Sequence, residues 1–418
     1  MLTDFFPRLH SRYSSLPLFG VMVEDFTCWL SDHGYHRTLV RRHVRATRNL
    51  DRKLRRRGCR SLYQIPQEAL RACSPKDSRD DQCLAAAVHL WEHYLDERGL
   101  LLKPEPSQRE QLVHEYCAYL QSVQGARLLT IKQYSRTASR FLEHLAYDDV
   151  GTLRFADLNR IDLEAFVQKR GERVNRRSLQ HEIVLLRSFL RFLATRGDIK
   201  PDLSKQIDTP RIYTGEQLPR SLPWDTVRAF LRSVDRTTPM GLRDYTMFLL
   251  IVTYGLRAGE IVALRLDDIH WRIEQIRISP QKSSAPLLLP LTDAVAESLI
   301  AYLRCGRPQQ PYRELFLRCR APAGVLKPTA VTEAFQLWTK RSGLSIPYQG
   351  PHCLRHAFAT HLLRQGTPLK TIGDLLGHRS PSSTGVYIRL AVEDLRDVAL
   401  SLPVGCSSNG SGGEGVRP

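Results

Sequence analysis

The sequence predicts a mainly α-helical protein with a small antiparallel β element, divided into more than one domain. Apolar residues recur at helical spacing over long stretches, as at Ile183, Leu186, Phe189, Leu190 and Leu193. Two β-type apolar runs, residues 273–278 and 286–291, flank a polar segment that fits a hairpin loop. The chain has 418 residues, which exceeds one ordinary core and fits two or three domains.

The composition favours a polyanionic partner. There are 61 Lys and Arg against 43 Asp and Glu, a formal charge of +18, which suits DNA, RNA or an anionic membrane. No apolar run approaches the roughly 20 residues of a membrane-spanning helix, and the first residues lack the layout of a signal peptide. The sequence therefore predicts a nucleic-acid partner and no membrane partner.

The cysteines point to a reducing compartment. Nine are scattered along the chain without a Cys-x-x-Cys pair, which is typical of reduced thiols in a cytoplasm. His352, Cys353 and His356 form a tempting cluster, but no second ligand group stands at metal spacing. No metal site is predicted.

Two proline-bearing stretches, residues 103–106 and 200–223, divide the chain. They predict a basic helical segment over 1–105, a helical bundle over 106–198, a linker over 199–217 and a further domain over 218–402. Residues 403–418 are rich in Gly and Ser and are predicted to be disordered.

The first segment carries an unusual concentration of positive charge. Residues 37–60 contain eleven Lys or Arg and one acid, Asp51, so a helix there would be basic nearly all round. This favours a phosphate-contacting arm over a buried element, although a merely solvated helix is the alternative. The apolar positions of 1–105 also echo those of 106–198 at an offset of 90 to 91 residues, either as a tandem bundle or by chance.

A second group of cations lies between predicted helices of the middle segment. Lys169, Arg170, Arg173, Arg176 and Arg177 could follow the phosphates across a DNA groove. A solvated charged loop is an equally good interpretation of any one of them.

The strongest chemical signal lies between residues 350 and 390. His352, Arg355, His378 and Tyr387 fall in the segments His-Cys-Leu-Arg-His-Ala-Phe-Ala-Thr-His-Leu-Leu, Leu-Leu-Gly-His and Thr-Gly-Val-Tyr-Ile. A phenol with an ordinary pKa of about 10 attacks a phosphodiester only if its proton is removed and the developing charge is stabilised. The pattern therefore indicates a tyrosine nucleophile, Tyr387, surrounded by cations.

Two arginines fit the task of charge stabilisation. Arg257 follows Gly255 in a turn behind an apolar helix, and guanidinium groups can grip phosphate oxygens in a fork. Arg257 and Arg355 are thus predicted to clamp one phosphate. Glu260 is predicted to hold the Arg257 guanidinium by a charged hydrogen bond, or else is simply an acid favoured at a helix start.

Histidines are the candidates for proton transfer, because imidazole exchanges protons near neutral pH. His352 and His378 are assigned that role, whereas His356 and His361 are predicted to be packing or polar-face residues. Gly366, Pro368 and Gly377 predict a helix–turn–helix–turn layout ahead of His378. Tyr387 would then lie almost two turns into a further short helix that can move relative to the rest of the domain.

These segments together resemble the tyrosine recombinases, also called the phage integrase family, over residues 220–400 and more loosely over 107–200. The resemblance implies helical DNA-binding segments before a mixed α/β catalytic domain, and strand cleavage through a 3′-phosphotyrosine. Lys282 stands eight residues before Pro290, where the family places a lysine that protonates the departing 5′ oxygen. The family's Gly-Lys-Gly-x-Lys-Arg loop is degenerate here. The resemblance also implies double-stranded DNA as partner and a homo- or hetero-tetramer on two sites.

The sequence lacks the motifs of other phosphoryl-transfer enzymes. It has no Gly-x-x-x-x-Gly-Lys-Ser/Thr loop and no acidic cluster of the kind that holds two magnesium ions, so no cofactor is predicted. The leading hypothesis is a site-specific recombinase that integrates or transposes a mobile element. A type IB topoisomerase and a non-catalytic DNA-binding accessory protein are the alternatives.

Overall fold

The structure is a computed structural model that describes residues 1–75, 82–145, 155, 158–212, 219–279, 286–378 and 380–390. The predicted tail, 403–418, lies outside these residues. The chain divides into two compact units: the first contains Met1–Trp29 and Arg37–Glu216, and the second contains Leu30–His36 and Gln217–Pro418. Within the described ranges, no helix combines the length and apolar character needed to cross a bilayer.

The N-terminal half is almost entirely helical. Its helices and strands are α1 (Leu2–Phe5), α2 (His10–Ser14), α3 (Val23–Asp32), α4 (Arg37–Arg56), β1 (Ile65–Pro66), α5 (Gln67–Arg71), α6 (Gln82–Glu97), β2 (Leu101–Leu102), α7 (Gln108–Ser122), α8 (Leu128–His144), α9 (Arg160–Gly171) and α10 (Arg176–Arg196). Strands β1 and β2 form a two-residue parallel pair. A 3₁₀ helix, Pro201–Lys205, follows within the predicted linker.

The second unit adds a small sheet to its helices. Its elements are α11 (Trp224–Ser233), α12 (Pro239–Tyr254), α13 (Ala258–Ala263), β3 (Ile269–His270), β4 (Gln275–Ile278), β5 (Leu287–Pro290), α14 (Asp293–Ala301), α15 (Pro328–Ser342), α16 (His352–Arg364), α17 (Leu369–Leu375) and α18 (Pro381–Gly385). Short 3₁₀ helices lie at Leu266–Asp268, Trp271–Ile273 and Val386–Leu390, and a π-helical turn at Tyr302–Gly306.

Helix α4 corrects one expectation about the first segment. It is not basic all round: one face is buried and carries Val40, His43, Val44, Thr47, Leu50, Asp51 and Leu54. The Trp91 indole of α6 donates to Thr47 Oγ1 at 2.8 Å, and the Trp91 ring stacks on Phe26 at 3.9 Å. The positive charge is therefore confined to the opposite face, because Lys and Arg are rarely buried without a partner.

The second bundle has an aromatic core between α7, α8 and α10. The Tyr116 and Phe189 rings meet edge to face at 5.0 Å, and Phe141 and Phe166 do so at 5.3 Å. Asn175 caps α10 by accepting from Ser178 N at 2.9 Å. Helix α10 is thereby fixed at its start, beside the cations 169–177.

In the second unit, α12 runs through the centre of the core, with ten of its residues buried, from Gly241 to Tyr254. The sheet has the order β3-β4-β5, and both pairs are antiparallel. Ile278 pairs with Leu287, which confirms the predicted hairpin. The mainly helical fold with a small antiparallel sheet is likewise confirmed.

Candidate active site

A glycine turn positions the first candidate residue. Gly255 ends α12 with φ of 66°, a left-handed conformation that glycine adopts without strain. A Cβ there would lie 2.6 Å from Leu376 Cδ2 and 2.7 Å from Phe358 Cδ1. The turn directs the chain into α13 and places Arg257 at the residue preceding that helix.

Arg257 is held on one side and open on the other. Its Nη1 donates to Glu260 Oε1 at 2.7 Å, and its backbone N donates to Glu260 Oε2 at 2.8 Å. The Arg257 side chain is 40% exposed, whereas Glu260 is only 7% exposed. Glu260 therefore orients the guanidinium, and Nη2 also donates to the Gly377 carbonyl at 3.5 Å. The exposed part of the guanidinium keeps N–H donors accessible to an anion.

Arg355 is built into the core of the site. Its side chain is only 3% exposed. Its Nη1 donates to the Gly255 carbonyl, and Nη2 donates to the Leu376 carbonyl at 2.6 Å. Burial, with Arg257 nearby, lowers the pKa of Arg355 to about 10, while Glu260 opposes the shift. The guanidinium therefore stays charged at neutral pH and ties three segments together.

The first turn of α16 presents two histidine rings. His352 and His356 meet edge to face, with ring centroids 4.6 Å apart. Partial burial, Arg355 and Arg257 lower the pKa of His352. Burial and His352 lower the pKa of His356 further, to about 4. Both rings are neutral at physiological pH because burial, and then the neighbouring positive charges, disfavour the imidazolium form.

His378 follows α17 and lies parallel to Tyr387. Its Nδ1 is 2.8 Å from Thr384 Oγ1, which fixes the ring orientation. The His378 and Tyr387 rings are 6.3 Å apart and inclined by only 7°. Burial, then Arg355 and Arg257, lower the pKa of His378 to about 4.

Tyr387 is buried in this structure. It is 2% exposed and packs in a small apolar cluster with Phe358, Ala359, Ile372 and Leu376. Its hydroxyl lies 2.9 Å from His356 Nδ1. Burial raises the pKa of the phenol, while Arg355 and Arg257 act in the opposite direction. The phenol is thus protonated and enclosed at neutral pH.

The local structure around Tyr387 differs slightly from the prediction. Helix α18 starts at Pro381 as expected but ends at Gly385, and Tyr387 lies in the 3₁₀ helix Val386–Leu390. The helix–turn–helix–turn layout before it is present, with Gly366 at φ 78° and Gly377 at φ 58°. Tyr387 therefore follows the short helix and does not lie within it.

The structure brings most of the predicted catalytic residues together. Arg257 and Glu260 come from the start of α13, Arg355 and His352 from α16, and His378 and Tyr387 from the segments beside α17 and α18. Lys282 falls in 280–285, outside the described residues.

The predicted DNA-binding cations lie in the first unit and differ in their surroundings. Lys169, Arg173, Arg176 and Arg177 are exposed around the α9–α10 turn. Arg170 instead donates through Nε to both carboxylate oxygens of buried Glu182, at 3.0 and 3.1 Å. Arg140 Nη1 also donates to Glu182 Oε1 at 3.4 Å. Arg170 therefore stabilises the bundle as the nearer of two partners of a buried carboxylate.

His356 makes a contact with Tyr387 that the sequence did not predict. It was predicted to be a packing or polar-face residue, yet its ring meets the Tyr387 hydroxyl. One signal was available: His352 and His356 are four residues apart and share a helix face. Thr384 was also missed, because only the fold brings its hydroxyl to His378.

Comparisons with known proteins show the family to which the chain belongs. The phage integrase family model matches residues 220–394, and the model of the phage integrase N-terminal SAM-like domain matches 113–197. A Sinorhizobium fredii protein named as an integrase/recombinase, y4rA, is 33% identical over 395 residues, covering 92% of this chain and 94% of the relative. Tyrosine recombinase XerD of Listeria monocytogenes is 32% identical over 294 residues, covering 69% and 96%.

Solved structures share the fold. The XerH site-specific recombinase in a post-cleavage complex has a TM-score of 0.55 at 18% identity, covering 79% of this chain and 92% of that one. A lambda integrase dimer bound to a core site has a TM-score of 0.52 at 17% identity, covering 66% and 94%. The predicted resemblance is confirmed. The chain belongs to the phage integrase family of tyrosine recombinases, enzymes that cleave and rejoin DNA.

Proposed function

We propose that this enzyme recombines DNA at specific sites by forming a 3′-phosphotyrosine on Tyr387. The observation that supports this proposal most directly is the convergence of Arg257, Arg355, His378 and Tyr387 on one site. Two guanidinium groups of different accessibility flank a tyrosine whose neighbours are neutral imidazoles. Such a site suits an anionic phosphodiester and not a metal cation.

In the proposed cleavage step, the Tyr387 oxygen forms a bond to phosphorus while the bond to the 5′ oxygen breaks. Arg257 and Arg355 hold the two non-bridging oxygens as negative charge develops there. His352 and His378, as neutral imidazoles, donate hydrogen bonds to those oxygens. Lys282 gives a proton to the departing 5′ oxygen, and the phenolic proton leaves to a base or to water. No metal or nucleotide cofactor is needed, since the cations of the chain supply the charge.

Tyr387 must leave its buried position to attack DNA, and His356 holds it in the resting state. An imidazole with a pKa of about 4 is a poor base for a phenol whose pKa is raised. Proton transfer in this geometry is therefore unfavourable. His356 acts as a hydrogen-bond partner that keeps the phenol protonated and enclosed until DNA binds.

The role of His356 can be tested with His356→Phe, which keeps an aromatic ring but removes the hydrogen-bond partner. A buried hydroxyl without a partner costs about 1–3 kcal/mol, so the phenol should be released more readily. We expect single-turnover adduct formation to become faster. His361→Phe on the same helix is the control, because its ring stacks on Trp224 and, where the structure describes the candidate catalytic residues, contacts none of them. A rate that falls by orders of magnitude would instead make His356 a general base.

We also propose a division of residues 106–402 into two domains and a linker. Residues 106–198 are the core-binding domain and 218–402 the catalytic domain, joined by a linker over 199–217. In support, the two family models match 113–197 and 220–394, and the compact units divide between Glu216 and Gln217. Lys169, Arg173, Arg176 and Arg177 contact phosphates from the first of these domains.

The biological context is also a proposal. Exchange between two sites requires four strand cuts, and each chain carries one nucleophile, so a homo- or hetero-tetramer acts on two duplexes. The relative named as an integrase/recombinase covers nearly the whole chain, which favours integration or transposition of a mobile element. Because its substrate is cellular DNA, the enzyme works in the bacterial cytoplasm.

The decisive experiment incubates the wild type and Tyr387→Phe with nicked suicide duplexes made from DNA that flanks the gene, in the presence of EDTA. Adducts from the wild type alone would support Tyr387 as the nucleophile and would begin to locate the target. If the wild type binds a duplex tightly and forms no adduct on it, the proposed cleavage chemistry is wrong. Relaxation of one plasmid without joining of two sites would favour the topoisomerase alternative.

A further inference from the structure

Residues 1–105 lie outside both family models, which match 113–197 and 220–394. They nevertheless carry α4, the most basic of the described helices. We propose that this segment is a second helical bundle of the same kind as 106–198, and that an arginine row on α4 binds the phosphate backbone of duplex DNA. The proposal goes beyond strand cleavage and does not depend on it.

The two bundles repeat the same order of helices. Helices α3 to α6 correspond to α7 to α10, and in each set the second helix follows a short turn. The glycine of that turn has a positive φ in both cases: Gly34 at 76° and Gly125 at 58°. These glycines are 91 residues apart, which matches the spacing of the apolar pattern.

The buried positions of α3 and α4 match those of α7 and α8 at nearly the same spacing. The matching residues are all buried and are separated by 90 residues in the first pair and 91 in the others: Phe26 and Tyr116, Val40 and Ile131, Thr47 and Ala138, Leu50 and Phe141, and Leu54 and Leu145. Helical spacing alone can make the buried positions of two helices match by chance. It does not by itself keep the offset within one residue across a helix, a left-handed turn and a second helix.

The correspondence extends to the solvent face of the second helix. Arg45 on α4 and Arg136 on α8 are 91 residues apart, and both are exposed. Helix α8 belongs to the segment that matches the SAM-like domain of phage integrases. The equivalent face of α4 is richer in cations, since Arg48 and Arg52 are exposed beside Arg45.

The arginine row, defined as Arg45, Arg48 and Arg52, lies along one side of α4. From Arg45 to Arg52 the helix rises about 10 Å, the length of about three base steps of one DNA strand. Because like charges at this spacing repel one another, the row favours binding of a polyanion.

Nearby acids do not neutralise this row. In the parts of the chain that the structure describes, no ion pair involves any of its three arginines. Asp51, the one acid of α4, is buried and accepts from Leu18 N at 2.9 Å. Glu92 of α6 accepts from Arg71 and Gln67, both at 2.7 Å.

Other acids of this bundle are engaged as well. Glu97 accepts from the Trp29 indole at 2.7 Å, and Glu24 lies 3.3 Å from the N-terminal ammonium of Met1. These four carboxylates are thus engaged elsewhere, and among the described residues the arginine row remains a solvated positive stripe. Phosphates on a duplex supply the missing charges, and release of their counterions drives binding.

The test compares the full chain with the triple variant Arg45→Gln, Arg48→Gln, Arg52→Gln. Binding to a random-sequence duplex of about 40 base pairs is measured by fluorescence anisotropy from about 50 to 200 mM salt. The slope of log affinity against log salt is negative, and each lost phosphate contact reduces its magnitude by about 0.9. We therefore expect the slope of the triple variant to be smaller in magnitude by about 2 to 3. The assay measures binding alone, so its outcome is independent of whether Tyr387 attacks DNA.

Two matched variants make the result specific. The triple variant Arg8→Gln, Arg12→Gln, Arg98→Gln removes the same charge from exposed positions outside α4 and should keep the slope. The triple lysine variant of the row should also keep it, because counterion release depends on charge and not on the guanidinium fork. An unchanged slope in the glutamine variant of the row, or an equal loss in the control, would overturn the proposal. Circular dichroism confirms that each variant is folded.

Discussion

Arg355 and Arg257 are proposed to grip the same phosphate, but the structure predicts a much larger loss of stability for lysine at position 355 than for lysine at position 257. Arg355 is 3% exposed and donates to the carbonyls of Gly255 and Leu376. An ammonium group cannot span both carbonyls as the planar guanidinium does. Arg355→Lys therefore loses at least one hydrogen bond from a charged donor, about 1.5–3 kcal/mol of unfolding free energy.

That loss is large enough to measure. For a domain of this size, each kcal/mol lowers Tm by about 2–4 °C, so Arg355→Lys should melt about 3–12 °C below the wild type. Arg257 is 40% exposed and pairs with Glu260, which is 7% exposed; a lysine at position 257 keeps the positive charge beside that carboxylate. Arg257→Lys should cost about 0–1 kcal/mol and leave Tm nearly unchanged.

Cleavage should respond to both changes. Loss of one preorganised donor to a developing oxyanion typically slows the chemical step by about 100- to 1000-fold. Thermal melting and single-turnover adduct formation on a suicide duplex are therefore measured on the same two variants. If the Tm of Arg355→Lys equals that of the wild type, or if Arg257→Lys lowers Tm as much as Arg355→Lys does, the structural role assigned to Arg355 is wrong.

Two further predictions concern the stability of the catalytic unit. Burial and neighbouring charges hold the pKa values of His352, His356 and His378 below the ordinary value, so the unfolded chain binds protons first as pH falls. Tm should fall from about pH 7 to pH 5, and a Tm that rises over this window would contradict the assignment. Gly255→Ala should cost about 2–5 kcal/mol in chemical unfolding, because backbone strain adds to overpacking against two side chains. Gly343→Ala has the same backbone strain in open space and should cost only about 1–2 kcal/mol; equal losses would show that the close contacts at Gly255 are unimportant.

The sequence by itself determined the features that depend on near neighbours along the chain. The helical spacing predicted the bundle over 106–198, and the two apolar runs predicted the hairpin of β4 and β5. Gly255 marked the turn before Arg257, because a left-handed residue that ends a helix favours glycine. The catalytic candidates were identified by residue type and spacing within short motifs, which is also local information.

Only the tertiary structure decided which side chains meet across long separations. His356 reaches Tyr387 across 31 residues, and Arg355 reaches Gly255 across 100. The pairing of Arg170 with Glu182 depends on how α9 packs against α10, and one face of α4 is buried because Trp91 packs there. Periodicity states which face of a helix is apolar, but the partner of that face is set by packing. For that reason the enclosed state of Tyr387 followed from the fold and not from its motif.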